Sequence, residues 1–125
     1  MNERRTSPRF AVRMAGTAYH PAFGYVPIET INISSTGILF AAAAFWPDNT
    51  YCYVCLSSSV LNMSLRVRII RMAKRGSPRN VYATRIDAIT ESDQQKINNL
   101  VLKLRRNQLP DDMKPFSWKH SAAAK

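Results

Sequence analysis

Asn32-Ile33-Ser34-Ser35-Thr36-Gly37 reads as the end of one β-strand, a tight turn and the start of the next. Side chains two residues apart on a strand face the same side, so Asn32 and Ser34 are expected to point together. Gly37 permits a backbone turn, or a close approach to a ligand, that a side chain would block.

Strand-like segments extend on both sides of this turn. Upstream, Tyr25 to Ser34 forms a strand, with Ile31 and Ile33 expected to face the core and Thr30, Asn32 and Ser34 the other side. Before it, Phe10 to Tyr19 alternates as a half-buried strand, and His20-Pro21-Ala22-Phe23-Gly24 turns the chain. Downstream, strands are expected over Ile38 to Ala42, Thr50 to Ser57, Met63 to Met72 and Asn80 to Ile89. Leu65, Val67 and Ile69 alternate with Ser64, Arg66 and Arg68 in the third of these. Short strands at regular spacing, joined by turn residues, indicate a mainly β domain, a small antiparallel sandwich or barrel.

One helix follows. Thr90 is placed to cap it, with Glu91 and Asp93 at the positive end of its dipole. Ile97, Leu100, Val101 and Leu104 fall at i, i+3, i+4 and i+7, an apolar face that should cover a side or end of the β-structure. Beyond Asn107 the pattern is lost; Met113, Phe116 and Trp118 are expected to fold back onto the domain. The organisation is therefore a flexible basic arm over residues 1–9, one folded unit over 10–106 and an irregular tail over 107–125.

The arm holds Arg5-Thr6-Ser7-Pro8-Arg9. Pro8 fixes its own φ and drives Ser7 towards extended geometry, so the two arginines are presented from a loop. Each guanidinium is a flat fork that fits phosphate oxygens or the O6/N7 edge of guanine. Two such forks on one short loop suit a single anionic, guanine-bearing ligand.

The chain of 125 residues fits one domain, and its net charge of +10 argues for an anionic partner. No apolar run approaches the ~18 residues needed to span a bilayer, and Met-Asn-Glu-Arg-Arg leads into no secretory signal, so a cytoplasmic location is expected. The starting Met and trailing tail fit a stand-alone unit. Cys52 and Cys55 lie three apart on a strand-like segment, so their sulfurs should diverge as packed, reduced thiols. A zinc site would need two further ligands, and His20 and His120 lie at no suggestive spacing. Scattered acids, and a Ser34 without a base, assemble no catalytic set: no enzyme, no metal and no cofactor are expected.

Arg-x-x-x-Arg, then Asn/Asp-x-Ser-x-x-Gly after roughly two dozen residues, resembles the PilZ family of bacterial cyclic di-GMP receptors. Arg5 and Arg9 match the first motif; Asn32, Ser34 and Gly37 match the second. Asn32 stands where Asp is more usual. The resemblance spans approximately residues 3 to 104, and Glu3-Arg4-Arg5 and Phe10 add to it. It implies a six-stranded antiparallel β-barrel with a C-terminal helix, and cyclic di-GMP lying across the outer face of the barrel. Arg5 and Arg9 would grip guanine edges or phosphates, Asn32 a guanine edge, and Ser34 would bond nearby. Gly37 would admit the backbone, and Arg4 is a weaker phosphate candidate. Arg66, Arg68 and Arg71 would add positive field. Ligand binding would order the arm and signal to a downstream protein, with monomer or homodimer left open. Two other readings stand beside this one. The first is an interaction adaptor of the same family that binds no nucleotide. The second, less favoured, is a basic barrel stacking single-stranded nucleic acid on Tyr51, Tyr53 and Tyr82.

Overall fold

The computed structural model describes residues 9–59, 61–106 and 113. The described strands are β1 (Phe10–Ala11), β2 (Ala15–His20), β3 (Gly24–Ile33), β4 (Gly37–Ala42), β5 (Tyr51–Ser57), β6 (Asn62–Lys74) and β7 (Asn80–Ile89). Helix α1 (Glu91–Arg105) follows the last strand. Six strands close into an antiparallel barrel in the order β3-β2-β5-β6-β7-β4, with β4 returning to β3. β1 pairs with the far end of β3 beyond β2.

Alternation fills the barrel. On β5, Cys52, Val54 and Leu56 point in, and Tyr51, Tyr53 and Cys55 point out. On β6, Met63, Leu65, Val67 and Ile69 point in. The two cysteines diverge as their spacing requires; burial pushes the Cys52 thiol up to about 11, while Cys55 is exposed. Phe40, Trp46 and Tyr82 pack together at one side of the interior, with ring centroids 5.2 to 6.3 Å apart. The Tyr82 hydroxyl donates to the Ala44 carbonyl and accepts the Trp46 amide at 3.1 Å, so this buried phenol is satisfied.

Two expectations are corrected. The strand expected over Phe10 to Tyr19 breaks at Val12-Arg13-Met14 into β1 and β2. Thr30 bridges the break: its Oγ1 donates to the Val12 carbonyl at 2.7 Å and accepts the Met14 amide at 2.8 Å. Thr30 is therefore inside, and Ile31, expected inside, is 40% exposed. The cause is a bulge. Thr30 pairs with Phe40, but Asn32 pairs with Leu39, leaving Ile31 as the extra residue and reversing the alternation. Ile33 faces the core as expected.

α1 sits across the end of the barrel that carries the Ser34–Gly37 turn. Ile97 and Leu100 are buried in the core, with Val101 and Leu104 packed against it. Thr90 Oγ1 accepts the Asp93 amide at 3.1 Å, as an N-cap should. Three bonds fix the helix to the strands and turn: Ser64 N donates to Asp93 Oδ2 (3.1 Å), Lys96 Nζ to the Asn62 carbonyl (2.8 Å) and Gln94 Nε2 to the Ser35 carbonyl (3.3 Å). Of the tail, Met113 is described: it is buried, and its carbonyl accepts the Arg13 amide at 2.8 Å. Phe116 and Trp118 lie outside the described residues.

Candidate ligand-binding wall

The Ser34–Gly37 turn is closed by its own serine. Ser34 Oγ accepts the amides of Thr36 (3.2 Å) and Gly37 (3.1 Å), and Ser34 N donates to the Gly37 carbonyl at 2.9 Å. Ser34 is buried, and its hydroxyl holds the turn in shape. Gly37 begins β4 directly against β7. A Cβ there would lie 2.5 Å from the Thr84 carbonyl oxygen, so the glycine is required by a neighbouring strand.

Asn32 lies one strand-end away. After the Ile31 bulge it faces outward, paired with Ala11 of β1 on one side and Leu39 of β4 on the other. Its Oδ1 is buried and has no hydrogen-bond partner among the described residues. A buried acceptor left unmatched costs free energy, so it calls for a donor beyond the described residues.

Arg9 directly precedes β1, and the pairing of Phe10 with Ile33 sets it abreast of Ser34. The structure thus brings Arg9, Asn32, Ser34 and Gly37 to one rim of the barrel. Residues 1–8 of the arm, Arg4 and Arg5 among them, lie outside the described residues.

The wall continues beyond the motif. Outward from β4 and β7 come Leu39, Ala83 and Arg85, and from β6 Arg68 and Arg71. Arg68 donates to Asn49 Oδ1 at 2.9 Å. Arg66, by contrast, is committed elsewhere: Nε donates to Asp87 at 2.8 Å, and the guanidinium lies 5.3 Å from the Tyr51 ring centroid. Hydrogen bonds to Asp87 and then Tyr53 raise its pKa further. Arg85 carried no sequence signal of its own. Its place beside Gly37 follows from the β4–β7 pairing, which joins segments distant in the chain.

No group of three metal-binding side chains occurs among the described residues. Nor is any described helix long and apolar enough to cross a membrane. A cavity of about 430 Å³, lined by Gly16, Cys55, Asp93 and Lys96 among others, lies away from this wall.

The model of the PilZ domain matches residues 3–103. The chain belongs to the PilZ domain family. PilZ domains are a family of cyclic di-GMP receptors. No curated protein matches the chain by sequence. The fold is shared with the Bacillus subtilis inhibitor of motility MotI/DgrA (TM-score 0.71, 14% identity, 86% of this chain and 54% of that one). It is shared with the PilZ domain of Escherichia coli YcgR, solved with c-di-GMP (0.69, 9%, 84% and 94%). The MrkH–c-di-GMP complex of K. pneumonia is similar too (0.71, 12%, 86% and 55%). This PilZ chain spans about half the length of MotI and MrkH.

Proposed function

We propose that this protein is a cytoplasmic cyclic di-GMP receptor that signals to a partner protein and carries out no catalysis. The observation that supports it most directly is the unmatched Asn32 Oδ1, buried on an outward wall at the second-motif position. The N–H groups on a guanine edge are donors of the kind this oxygen lacks. Arg9, set beside it, and Arg5 and Arg4 ahead of it in the chain supply forks for phosphate or the guanine O6/N7 edge. Ser34 and Gly37 shape the turn against which the ligand rests.

The same turn is tied to α1 through Gln94 and Ser35. A ligand seated on the turn therefore acts on the helix as well, which gives a partner protein a surface to read.

Calorimetric titration with cyclic di-GMP tests the reading. Saturable binding is expected, weakened about ten- to hundredfold by Arg5→Ala or Arg9→Ala, since each bidentate contact contributes about 1–3 kcal/mol. No heat and no thermal shift would point instead to an interaction adaptor. The nucleic-acid reading is weakened because Tyr82 belongs to the core, leaving Tyr51 and Tyr53 exposed of the three stacking candidates.

A further inference from the structure

Arg85 and Arg68 are direct cross-strand partners on the outer wall, Arg85 on β7 and Arg68 on β6. Like charges facing each other across a sheet repel and destabilise it. The nearby acid does not relieve them, because Asp87 is engaged by Arg66. Arg85 side-chain nitrogens make no hydrogen bond or ion pair with any described residue, and neither do those of Arg71. Arg71 stands opposite Ala83, two residues along β7 from Arg85, because a bulge at Ile70 turns it outward. Between these cations and Asn32 the wall is floored by Leu39 and Ala83. Asn32 and β7 are two strand spacings apart, roughly 10 Å. One rim of this floor holds Arg9 and Asn32; the other holds Arg85 and Arg71.

We propose that Arg85, with Arg71 beside it, is a second anion grip on this wall, binding a phosphate on the side of the cyclic dinucleotide opposite Arg9. The proposal rests on the cyclic di-GMP reading above. A dinucleotide ring carries its two phosphates on opposite sides, and Arg9 stands at the rim away from Arg85. The bound phosphate neutralises the Arg85–Arg68 repulsion, so the site gains on binding from a strain that the free protein carries.

The experiment is a titration of the whole chain with cyclic di-GMP at low and high salt, using wild type, Arg85→Ala, Arg85→Lys and Arg105→Ala. Arg105 is an exposed residue at the end of α1, and its loss changes the net charge equally. Arg85→Ala should weaken binding at least about tenfold at low salt. The gap should narrow as salt screens the contact. Arg85→Lys should restore part of the affinity, and Arg105→Ala should change it little. Thermal unfolding of ligand-free Arg85→Ala should be no lower than wild type, which separates lost affinity from lost fold. If wild type binds and Arg85→Ala matches Arg105→Ala, the second grip is refuted and the receptor reading survives. If wild type itself does not bind, the receptor reading falls, and this one with it.

Discussion

The Thr30 hydroxyl joins Val12 to Met14, donating to one and accepting from the other across the gap between β1 and β2. This single buried group keeps the strand entering from Arg9 in register with the strand that carries Asn32. Thr30→Val keeps the shape and removes both bonds, stranding a buried carbonyl and amide. Stability should fall by about 1–3 kcal/mol. Urea unfolding should show a lower midpoint at unchanged slope, and Thr30→Ser should recover part of the loss.

Gly37→Ala places a methyl 2.5 Å from the Thr84 carbonyl oxygen, a backbone atom that yields only if β4 and β7 part. A cost of about 1–3 kcal/mol is expected from overpacking. Cyclic di-GMP affinity should fall with it, because the Ser34 turn moves too. Thermal unfolding and titration of the same variant check both.

Asn32→Ala should separate stability from binding. Removing a buried acceptor that has no partner among the described residues relieves a cost, so the melting temperature should hold or rise. Affinity for cyclic di-GMP should drop about tenfold or more. A fall in both would show that Asn32 serves the fold.

Much of this was legible in the chain. The alternation of β5 and β6, the Thr90 cap and the Ile97/Leu100 face are local patterns, and the folded protein keeps each. The Ile31 bulge was not legible, because one extra residue reverses the period without changing composition. The break at Val12–Met14 was hidden as well, since its stabilising hydroxyl comes from Thr30 on another strand. At the candidate site, the turn was readable from Ser34 and Gly37. What Gly37 must avoid, and which arginines stand behind it, depended on β7 arriving alongside β4.

Asp93 couples the helix to the barrel in a pH-dependent way. The Ser64 amide, outweighing desolvation, holds its carboxyl below the usual range, with Lys96 and Thr90 assisting. A depressed folded-state pKa stabilises above the unfolded value and is lost as pH falls through the folded one. Asp93→Asn should therefore be less stable than wild type near neutrality. The difference should close below about pH 4. Paired denaturation curves across that range measure it.

The two thiols should behave as unequal reporters. Cys55 is exposed, whereas Cys52 is buried with its thiol pushed to about 11. A thiol-reactive disulfide reagent should label one group in the native protein and the second only on unfolding. Fast labelling of both would contradict the strand assignment.

Where β3, β2, β5, β6, β7 and β4 lie side by side in the ring, each backbone row is paired, while residues 24–27 of β3 and 72–74 of β6 have a partner strand on one side only among the described residues. Strand addition, the mode that reads main-chain amides and carbonyls, is closed to a partner along the doubly paired stretches and open at those two overhangs. Recognition along the doubly paired wall is a matter of side chains, and a handful of surface substitutions there would be enough to redirect it.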